Sequence, residues 1–408
     1  MNEVIRGSFE LMKQLNISAV LKAVMSEGPI SRADIAKRTG LTPASVTNIT
    51  KVLIENGYLN QLGIGESSGG RPPIILEINP NARYIIGVSI GVGRIEAVIS
   101  NIAAEIVYRK EIIIGKNQKD KEIVFPKLIK LINEVIDTSE ITEEKIIGIG
   151  IAMHGIVNSD TGISEYSPFY KWTDVNIKSE LSKEFSYPIF IDNDVRAMAL
   201  AESHFGVSKG VSNFIIINVS NGIGAGIIIN NAPYYGVSYS AGEIGHIFVD
   251  NNGDKCECGN YGCLETVASN SNIVKKTIKL LKQGSKSILQ QSRADINDID
   301  INDICLAANE QDSLAIEVLR EASRYIGIAV ANLVNILNPT DIVVVGEIFE
   351  QTSFAMDNLE YIVKSKSLKM PSEKVRIVKS KLSKDAAAIG AVTLVIQEIF
   401  KGDKLVLK

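Results

Sequence analysis

The order of strands and helices predicted after Pro80 constrains the fold of this 408-residue chain more than any other feature. Short apolar or alternating runs predict strands, and longer runs with apolar residues three and four apart predict helices. A β-β-β-α-β-α pattern occurs twice, over residues 84–192 and again over residues 213–379. A pattern repeated in this way predicts two related α/β lobes with a cleft between them, where ligands bind at strand ends.

The chain is too long for one ordinary domain, so we expect three units. Residues 1–78 form a head whose pattern differs from that of the remaining chain. Residues 79–194, completed by a C-terminal helix at about 388–408, form the first lobe of the body, and residues 195–387 form the second.

The head carries three helical patterns separated by turn and cap residues. An apolar stripe over residues 17–25 predicts the first helix, and Gly28 ends it. Ser31 has the position of an N-cap for the second helix, and Thr42 has that position for the third. Pro43 follows at the first helical position, where its missing N–H has no intrahelical partner to lose. Two short helices joined by a tight turn predict a helix-turn-helix.

Strands at residues 58–62 and 74–78, separated by a glycine-rich segment at 63–71, predict a wing after the third helix. The residues that we expect to reach base edges and phosphates are polar or basic, namely Arg32, Thr42, Ser45, Thr47, Asn48, Lys51 and Arg71. The alternative is a small helical bundle used for dimerisation or docking. The agreement of turn, caps and wing favours double-stranded DNA as the partner.

The charge distribution bears on the same question. The whole chain carries a net charge of −4, which alone argues against a nucleic-acid partner. Residues 1–73 hold eight Lys or Arg and six Asp or Glu, so this part is about +2 and the remainder about −6. This asymmetry permits a DNA-binding head on an acidic body.

Apolar runs and cysteine usage indicate the compartment. The longest apolar runs are shorter than the ~18 residues that a membrane span needs, and the N-terminus has no signal-peptide core. We therefore expect a cytoplasmic protein with no membrane partner. Four cysteines in that compartment argue against a disulfide framework.

Three of the four cysteines cluster in a glycine-rich stretch. Cys256, Cys258 and Cys263 follow His246, and three thiolates with one imidazole form the ligand set of a structural zinc ion. We expect one Zn²⁺ per chain at these four residues. The alternative is three free cysteines in a loop. Cys305 lies in an apolar helical stretch and is expected in the core.

Two stretches around these cysteines resemble the signature of the ROK family, whose name joins repressors, open reading frames and sugar kinases. They read GEIGH at 242–246 and CECGNYGCLE at 256–265. In the head, SRADIA at 31–36, TGLT at 39–42 and GGRP at 69–72 resemble the repressor branch of that family. The resemblance covers essentially the whole chain. It implies a winged helix-turn-helix head followed by a two-lobed, actin-like body of the sugar-kinase (ribonuclease H-like) type.

The resemblance also implies a sugar site in the cleft. Its hydrogen-bonding residues would be Asn193, Asp194, Glu243, His246 and Glu265. Carboxylate and carboxamide groups at a strand end suit vicinal hydroxyls, although Asp192 or Asp194 is also a candidate helix N-cap. His246 would bind zinc through one ring nitrogen and face a hydroxyl with the other.

Two further residues near this cleft have open interpretations. The segment 148–156 resembles the family's loop at the sugar cleft, but His154 stands where the family commonly has Pro. The change either alters the choice of sugar or is a neutral loop change. Trp172 either lines the cleft, where its face suits a sugar ring, or lies in the core.

The nucleotide half of a kinase site is altered. Relative to the family pattern, Ser89 replaces an Asp, Gly93 replaces a Thr, and Glu347 replaces a Gly. A neutral hydroxyl supports a phosphate-bridging metal ion less well than a carboxylate does. The loop 220–226 keeps its glycines, which the turn itself requires. We therefore expect no ATP binding and no catalytic residue, with Asp194 as the vestigial base.

Together these features predict a repressor of carbohydrate-utilisation genes that is relieved by a glucose- or xylose-like monosaccharide. The alternatives are a sugar that acts as corepressor, an active ROK sugar kinase, and a sensor regulated by a protein partner. A homodimer or a dimer of dimers is expected. Its candidate surfaces are the apolar stripe at 17–24 and the helix at 316–337, although either one equally fits a core. The identity of the sugar and the operator sequence stay open.

Overall fold

The computed structural model describes residues 9–64, 73–115 and 117–401. In its N-terminal part, helices pack on a small antiparallel sheet of order β1-β3-β2. These elements are α1 (Phe9–Glu27), β1 (Ile30–Ser31), α2 (Arg32–Thr39), α3 (Pro43–Glu55), β2 (Leu59–Ile64) and β3 (Ile74–Ile78). The two-residue strand β1 was not predicted, because a strand this short has no detectable period.

Helices α2 and α3 begin at the predicted caps. The Ser31 hydroxyl accepts a hydrogen bond from the backbone N–H of Asp34 at 3.2 Å, and Thr42 accepts one from Ser45 at 3.2 Å. Gly40 between them adopts a φ of 72° and ends α2. This left-handed conformation is favourable for glycine because it has no Cβ. The predicted helix-turn-helix is therefore confirmed.

The first half of the body is built on a five-stranded sheet of order β11-β7-β4-β5-β6. Its strands and helices are β4 (Tyr84–Ile90), β5 (Arg94–Asn101), β6 (Ile106–Ile113), α4 (Lys121–Thr138), β7 (Ile146–Met153), β8 (Ile156–Asn158), β9 (Ile163–Ser167), β10 (Trp172–Asn176), α5 (Ile177–Leu181), β11 (Ile189–Asn193) and α6 (Asp194–His204). Strands β8 to β10 form a separate small sheet that was not predicted.

Trp172 belongs to the core of this half. Its side chain stacks on Phe125 with ring centroids 5.5 Å apart, and its indole N–H donates to the Lys119 carbonyl at 2.9 Å. Only 5% of the residue is exposed. Of the two interpretations of Trp172, the structure supports the core.

The second half repeats the arrangement with a sheet of order β14-β13-β12-β15-β16. Its elements are β12 (Phe214–Val219), β13 (Ile223–Ile229), β14 (Ala232–Pro233), α7 (Leu264–Ala268), α8 (Asn270–Lys282), α9 (Ile301–Asn309), α10 (Ser313–Leu337), β15 (Asp341–Val345), α11 (Glu347–Gln351), α12 (Ser353–Lys366), α13 (Lys369–Lys374) and β16 (Arg376–Lys379). In both sheets the first strand of the half pairs parallel on one side and antiparallel on the other. The predicted pair of related α/β lobes is confirmed.

The last described helix, α14 (Ala386–Lys401), returns to the first sheet. It packs on β4 and β7 so closely that a Cβ on Gly150 would lie 1.8 Å from the Ala391 carbonyl oxygen. Residues 402–408 of the predicted C-terminal helix lie outside the described residues. The domain boundaries given above stay predictions.

Helix α1 of the head packs on α14. One continuous apolar cluster joins Ile17 and Leu21 of α1 to Val392 of α14 and to Ile85 of β4. The head and the first lobe therefore share a core.

Both apolar stripes that were candidate dimer surfaces lie in the chain's own core. The α1 stripe from Ile17 to Val24 is covered by the cluster just described. The α10 stripe, including Ile326, Val330 and Val334, is buried within the second lobe. The buried parts of both stripes are therefore not available to a second chain, whereas Ile336 and Leu337 at the C-terminal end of α10 are exposed. None of the described helices combines the length and the apolar character that crossing a bilayer requires.

Candidate ligand cleft and metal centre

The four predicted metal ligands lie together at the edge of the second lobe. One ligand atom from each of His246, Cys256, Cys258 and Cys263 lies within 4.8 Å of all the others. The Cys258 and Cys263 sulfurs are 3.7 Å apart, and the Cys256 sulfur lies 3.6 Å from His246 Nδ1. Tetrahedral Zn²⁺ with bonds of about 2.3 Å places two thiolates about 3.8 Å apart. The four residues form a cluster with the dimensions of a metal site.

Glycine makes the tight turns of this knuckle, residues 246–263, possible. Gly262 has a φ of 69°, and a Cβ there would lie 1.9 Å from the Asp250 carbonyl oxygen. The neighbouring Cys263 pairs with Phe248 through an isolated β-bridge. No other residue fits this close approach, so the glycines set the positions of the cysteines.

The first lobe contributes the junction of β11 and α6 to the cleft. Asn193 caps α6, because its Oδ1 accepts hydrogen bonds at 3.0 Å from the backbone N–H groups of Val195 and Arg196. Its Nδ2 donates to the Gly155 carbonyl at 2.9 Å. Asp192 and Asp194 were the alternative candidates for this cap, and the structure assigns it to Asn193 instead.

Asp192 has a structural partner instead. It is 1% exposed and forms an ion pair of 2.7 Å with Arg196, which is 2% exposed. Arg196 also donates to the carbonyls of Val157 and Tyr239, so one side chain joins three segments beside the cleft. Sequence reasoning missed Arg196, and the four-residue spacing from Asp192 was the only signal of this pair.

Asp194 stands at the start of α6 with its carboxylate in the cleft region. Its Oδ1 accepts hydrogen bonds from the Val195 N–H at 2.9 Å and from the Asn193 amide at 3.1 Å. Burial nevertheless raises the pKa of Asp194 to about 6, and the hydrogen bonds oppose that shift. Its carboxylate is therefore poorly hydrated and remains a strong acceptor for a ligand hydroxyl.

The second lobe contributes two further carboxylates and an imidazole. Glu243 Oε2 lies 3.9 Å from His246 Nε2, the ring nitrogen that does not face the cysteines. Glu265 Oε2 accepts from the Ile223 N–H at 3.2 Å, which fixes it at the start of α7. Burial is the largest cause that raises the pKa of both Glu243 and Glu265. The imidazole thus has one nitrogen toward the knuckle and one toward the carboxylates, as its two predicted roles require.

The altered kinase positions lie at two strand ends. Ser89 is half-buried near the end of β4, and Gly93 in the following turn has a φ of 77°. After β15, the Glu347 carboxylate accepts a hydrogen bond of 2.7 Å from the Asn270 side chain at the start of α8. A charged group and its partner therefore occupy the space between α8 and α11.

On the head, the structure separates the predicted DNA-contacting residues into two groups. Arg32 donates to the Thr50 hydroxyl at 2.8 Å, Thr47 donates to the Pro43 carbonyl at 2.8 Å, and Thr42 caps α3. Asn48 and Lys51 are exposed on α3, and the Asn48 amide has no hydrogen-bond partner within the described parts of the chain. Ser45 is half-buried and shares a 2.9 Å contact with Thr42. Arg71 and most of the wing tip lie outside the described residues.

A winged helix-turn-helix joined to a two-lobed body of the sugar-kinase type, with a Cys3His cluster at its cleft, defines a narrow class of proteins. The chain belongs to the ROK family, whose profile matches residues 85–398. A winged helix-turn-helix DNA-binding profile matches residues 10–60. The resemblance identified from the sequence is confirmed, as is the fold.

Two relatives that align over nearly the whole chain are named as repressors. The chain is 34% identical to the xylose repressor of Caldicellulosiruptor bescii, over 96% of this chain and 98% of that protein. It is also 34% identical to the N-acetylglucosamine repressor of Escherichia coli O157:H7, over 97% of this chain and 96% of that one. Both alignments extend through the head and the body.

Two solved structures show the same architecture. A ROK family transcriptional regulator described as a homologue of the E. coli MLC protein has a TM-score of 0.83 and 33% identity, over 96% of this chain and 98% of that one. A ROK family glucokinase from Streptomyces griseus, in complex with glucose and AMPPNP, has a TM-score of 0.70 and 24% identity. It covers 77% of this chain and 99% of its own, and at this identity the likeness shows the fold alone.

Proposed function

We propose that this chain is a transcription repressor that binds operator DNA through its head and releases it when a monosaccharide enters the cleft of its body. One observation carries the proposal. A helix-turn-helix with an exposed polar face shares its core with a lobe whose cleft holds a carboxylate at Asp194. Repressor relatives that align over both parts, and whose names cite xylose or N-acetylglucosamine, support it.

We propose that the sugar lies between the two lobes. Asn193 and Asp194 would bind it from the first lobe, and Glu243, His246 and Glu265 from the second. Carboxylates accept hydrogen bonds from hydroxyls, and the free imidazole nitrogen donates or accepts one. A ligand held from both sides favours the closed arrangement of the lobes, because it gains contacts there that the open arrangement lacks.

The four-residue cluster supports one structural Zn²⁺ per chain, held by His246, Cys256, Cys258 and Cys263. The ion would neutralise thiolates that otherwise repel one another, and it would fix the knuckle in one conformation. Glu265 follows Cys263 by two residues, and His246 is itself a ligand. The ion would therefore hold two of the proposed sugar-binding residues in place.

The shared core gives a physical route from the cleft to the DNA. If closure of the cleft rotates the first lobe, α14 and β4 rotate with it. Helix α1 would then rotate as well, because its side chains pack in the same apolar cluster. In a homodimer, or a dimer of dimers, such a rotation changes the spacing of two heads. DNA half-sites lie one helical turn or a multiple apart, so a small change in spacing weakens binding.

We propose that the body has no kinase activity. Glu347 and Asn270 hydrogen-bond where the family resemblance puts the nucleotide, and Ser89 lacks the charge to hold a phosphate-bridging metal ion.

We expect ATP with Mg²⁺ to leave the melting temperature of the protein unchanged, because only a ligand that binds the native state raises it. Differential scanning fluorimetry measures this, with the effector sugar as the control that does raise it. Sugar-dependent ADP release in a coupled assay would overturn this part of the proposal.

The exposed face of α3 is expected to read the operator. Asn48→Ala should weaken binding by about 1–3 kcal/mol and relax the preference at one base pair, because the amide pairs with a base edge. Lys51→Ala should weaken binding to all DNA sequences. It should also reduce the slope of log binding constant against log salt concentration by about one, because one phosphate contact is lost. Fluorescence anisotropy against a salt series measures both effects. Lys364→Ala, which removes one exposed charge from α12 of the body, is the matched control.

Selection from a random duplex pool tests the proposed function as a whole. The full-length protein should enrich one sequence with two related half-sites, and adding the effector should reduce the recovery of that sequence. A pool that yields no enriched sequence, with or without sugars, would refute the proposal. Enrichment only in the presence of a sugar would show that the sugar acts as corepressor.

A further inference from the structure

A loop of the second lobe, residues 234–241, follows β14 and reaches across to the first lobe. We call this loop the strap. Both of its ends are fixed to β13. At one end the Tyr234 N–H donates to the Ile227 carbonyl at 2.8 Å, and just after the other end the Gly242 carbonyl accepts from the Ala225 N–H at 2.8 Å. The base of the strap therefore belongs to the second sheet and moves with it.

The strap contacts the first lobe through Tyr239. The Tyr239 hydroxyl donates a hydrogen bond to the Asp160 carboxylate, which lies in the turn between β8 and β9. That turn belongs to the first lobe, because β8 packs on β11 of the first sheet. Asp160 is exposed and Tyr239 is half-buried. One hydrogen bond at a solvent-accessible position thus joins the two lobes.

A second anchor holds the strap independently of this bond. Arg196 of α6 donates to the Tyr239 carbonyl at 2.5 Å, and its guanidinium lies 5.1 Å from the centroid of the Tyr235 ring. The Tyr235 and Tyr239 rings meet edge to face with centroids 5.8 Å apart. Helix α6 packs on strands of both sheets, so this anchor lies between the lobes. Loss of the Tyr239 hydroxyl should therefore leave the strap in place and remove only the bond to Asp160.

The backbone of Tyr239 also points to a role beyond the turn itself. Its φ is 55°, in the left-handed region that residues with a bulky side chain rarely adopt. Such a conformation is unfavourable unless the surrounding structure compensates for it. Glycine would satisfy the turn alone without that penalty. The bond of the tyrosine hydroxyl to Asp160 is the compensating contact that glycine could not make.

We infer that Tyr239 and Asp160 form a clasp that stabilises the closed arrangement of the two lobes and so sets how much sugar releases the operator. The inference rests on the proposed sugar-responsive function and adds a contact outside the proposed sugar-binding residues. A bond that exists only when the lobes are together shifts their equilibrium toward the closed arrangement. Because water competes for both partners, the net contribution of the bond is small. The equilibrium therefore stays within the range that a sugar can shift.

Tyr239→Phe in the full-length protein tests the clasp. The probe is whichever ligand binds the wild type most tightly in calorimetry among xylose, glucose, N-acetylglucosamine and the 6-phosphates of the last two. The variant should bind this probe about threefold to tenfold more weakly, as expected for the loss of one hydrogen bond. Its affinity for the selected operator duplex without sugar should not fall, because the open arrangement is the one that binds DNA. The probe concentration that releases half of the operator should rise by the same factor.

A double-mutant cycle establishes that the bond itself is responsible. Asp160→Ala removes the other partner and should have the same effect as Tyr239→Phe. The double variant should lose no more than either single variant, because both changes remove one and the same bond. Tyr234→Phe is the matched control, since Tyr234 is an exposed tyrosine of the same strap. It should leave both affinities unchanged.

Three results would overturn the inference while leaving the proposed function intact. They are a wild-type sugar affinity in Tyr239→Phe, additive losses in the double variant, and a Tyr239→Phe protein that binds both the probe and the operator more weakly. A wild-type protein that binds none of the five ligands would count against the proposed function itself. Circular dichroism of each variant establishes that the fold is retained.

Discussion

Cys263→Ala is expected to abolish zinc binding, to lower the melting temperature, and to remove the response to sugar. The cluster then keeps three ligands, and a structural zinc site contributes on the order of 10 kcal/mol of apparent binding free energy to the folded knuckle. Cys263 also directly precedes α7, the helix that carries Glu265. Disorder at this residue therefore displaces a sugar-binding carboxylate along with the metal ion.

The measurements for this variant are zinc content by mass spectrometry, thermal unfolding, and sugar affinity by calorimetry. Wild-type protein should contain one zinc ion per chain. Cys305→Ala is the matched control, because Cys305 is a buried free cysteine of the same lobe that lies outside the cluster. Cys305→Ala should lose some stability, because it leaves a small cavity, but its zinc content and its sugar affinity should equal those of the wild type. Wild-type protein without zinc, or Cys263→Ala with a normal sugar affinity, would contradict the proposed role of the knuckle.

Asp194→Asn is expected to lose the sugar response while gaining stability at neutral pH. A carboxylate that accepts a ligand hydroxyl contributes about 1.5–3 kcal/mol, so sugar affinity should fall roughly tenfold to a hundredfold. The amide oxygen of Asn still accepts the bonds that Asp194 receives from Val195 and Asn193. The substitution therefore removes the charge without removing the local structure.

The stability gain depends on pH in a defined direction. Because the folded protein raises the pKa of Asp194 from 3.8 to about 6, the ionised carboxylate destabilises the native state at pH values above this range. One unit of pKa corresponds to about 1.4 kcal/mol, so the gain at pH 7.5 is at most about 3 kcal/mol. It should shrink as the pH falls from 6 toward 3.8, where the folded protein is protonated at this site.

Urea unfolding of both proteins at several pH values measures the gain. Asp357→Asn, at an exposed position of α12, makes the same chemical change without the burial and should show no such difference. An Asp194→Asn protein with wild-type sugar affinity would remove Asp194 from the sugar site. A variant that is less stable at pH 7.5 would show that the carboxylate is stabilised rather than strained by its surroundings.

Local features of the chain were predictable because the residues that form them are close in sequence. The caps Ser31 and Thr42 satisfy backbone groups three residues away, and the knuckle ligands all lie between His246 and Cys263. The order of most strands and helices in both lobes also followed from periodicity, since each element buries one face, but the small sheet of β8 to β10 was not predicted.

Features that depend on a distant partner were not predictable in this way. The apolar stripe of α1 is the same whether a second chain or α14 covers it, and only the structure shows that α14 does. Asn193 caps α6 and Asp192 pairs with Arg196, and the sequence alone does not show which of these neighbouring residues takes which partner.

The central claim is that sugar in the cleft and operator DNA on the head oppose each other. Its most direct test is the dissociation constant of the selected duplex, measured by anisotropy with the full-length protein at zero and at saturating effector sugar. We predict that the sugar weakens operator binding at least about tenfold, and that the duplex weakens sugar binding by the same factor, since the coupling is reciprocal. An operator affinity that is unchanged at saturating sugar would contradict the account.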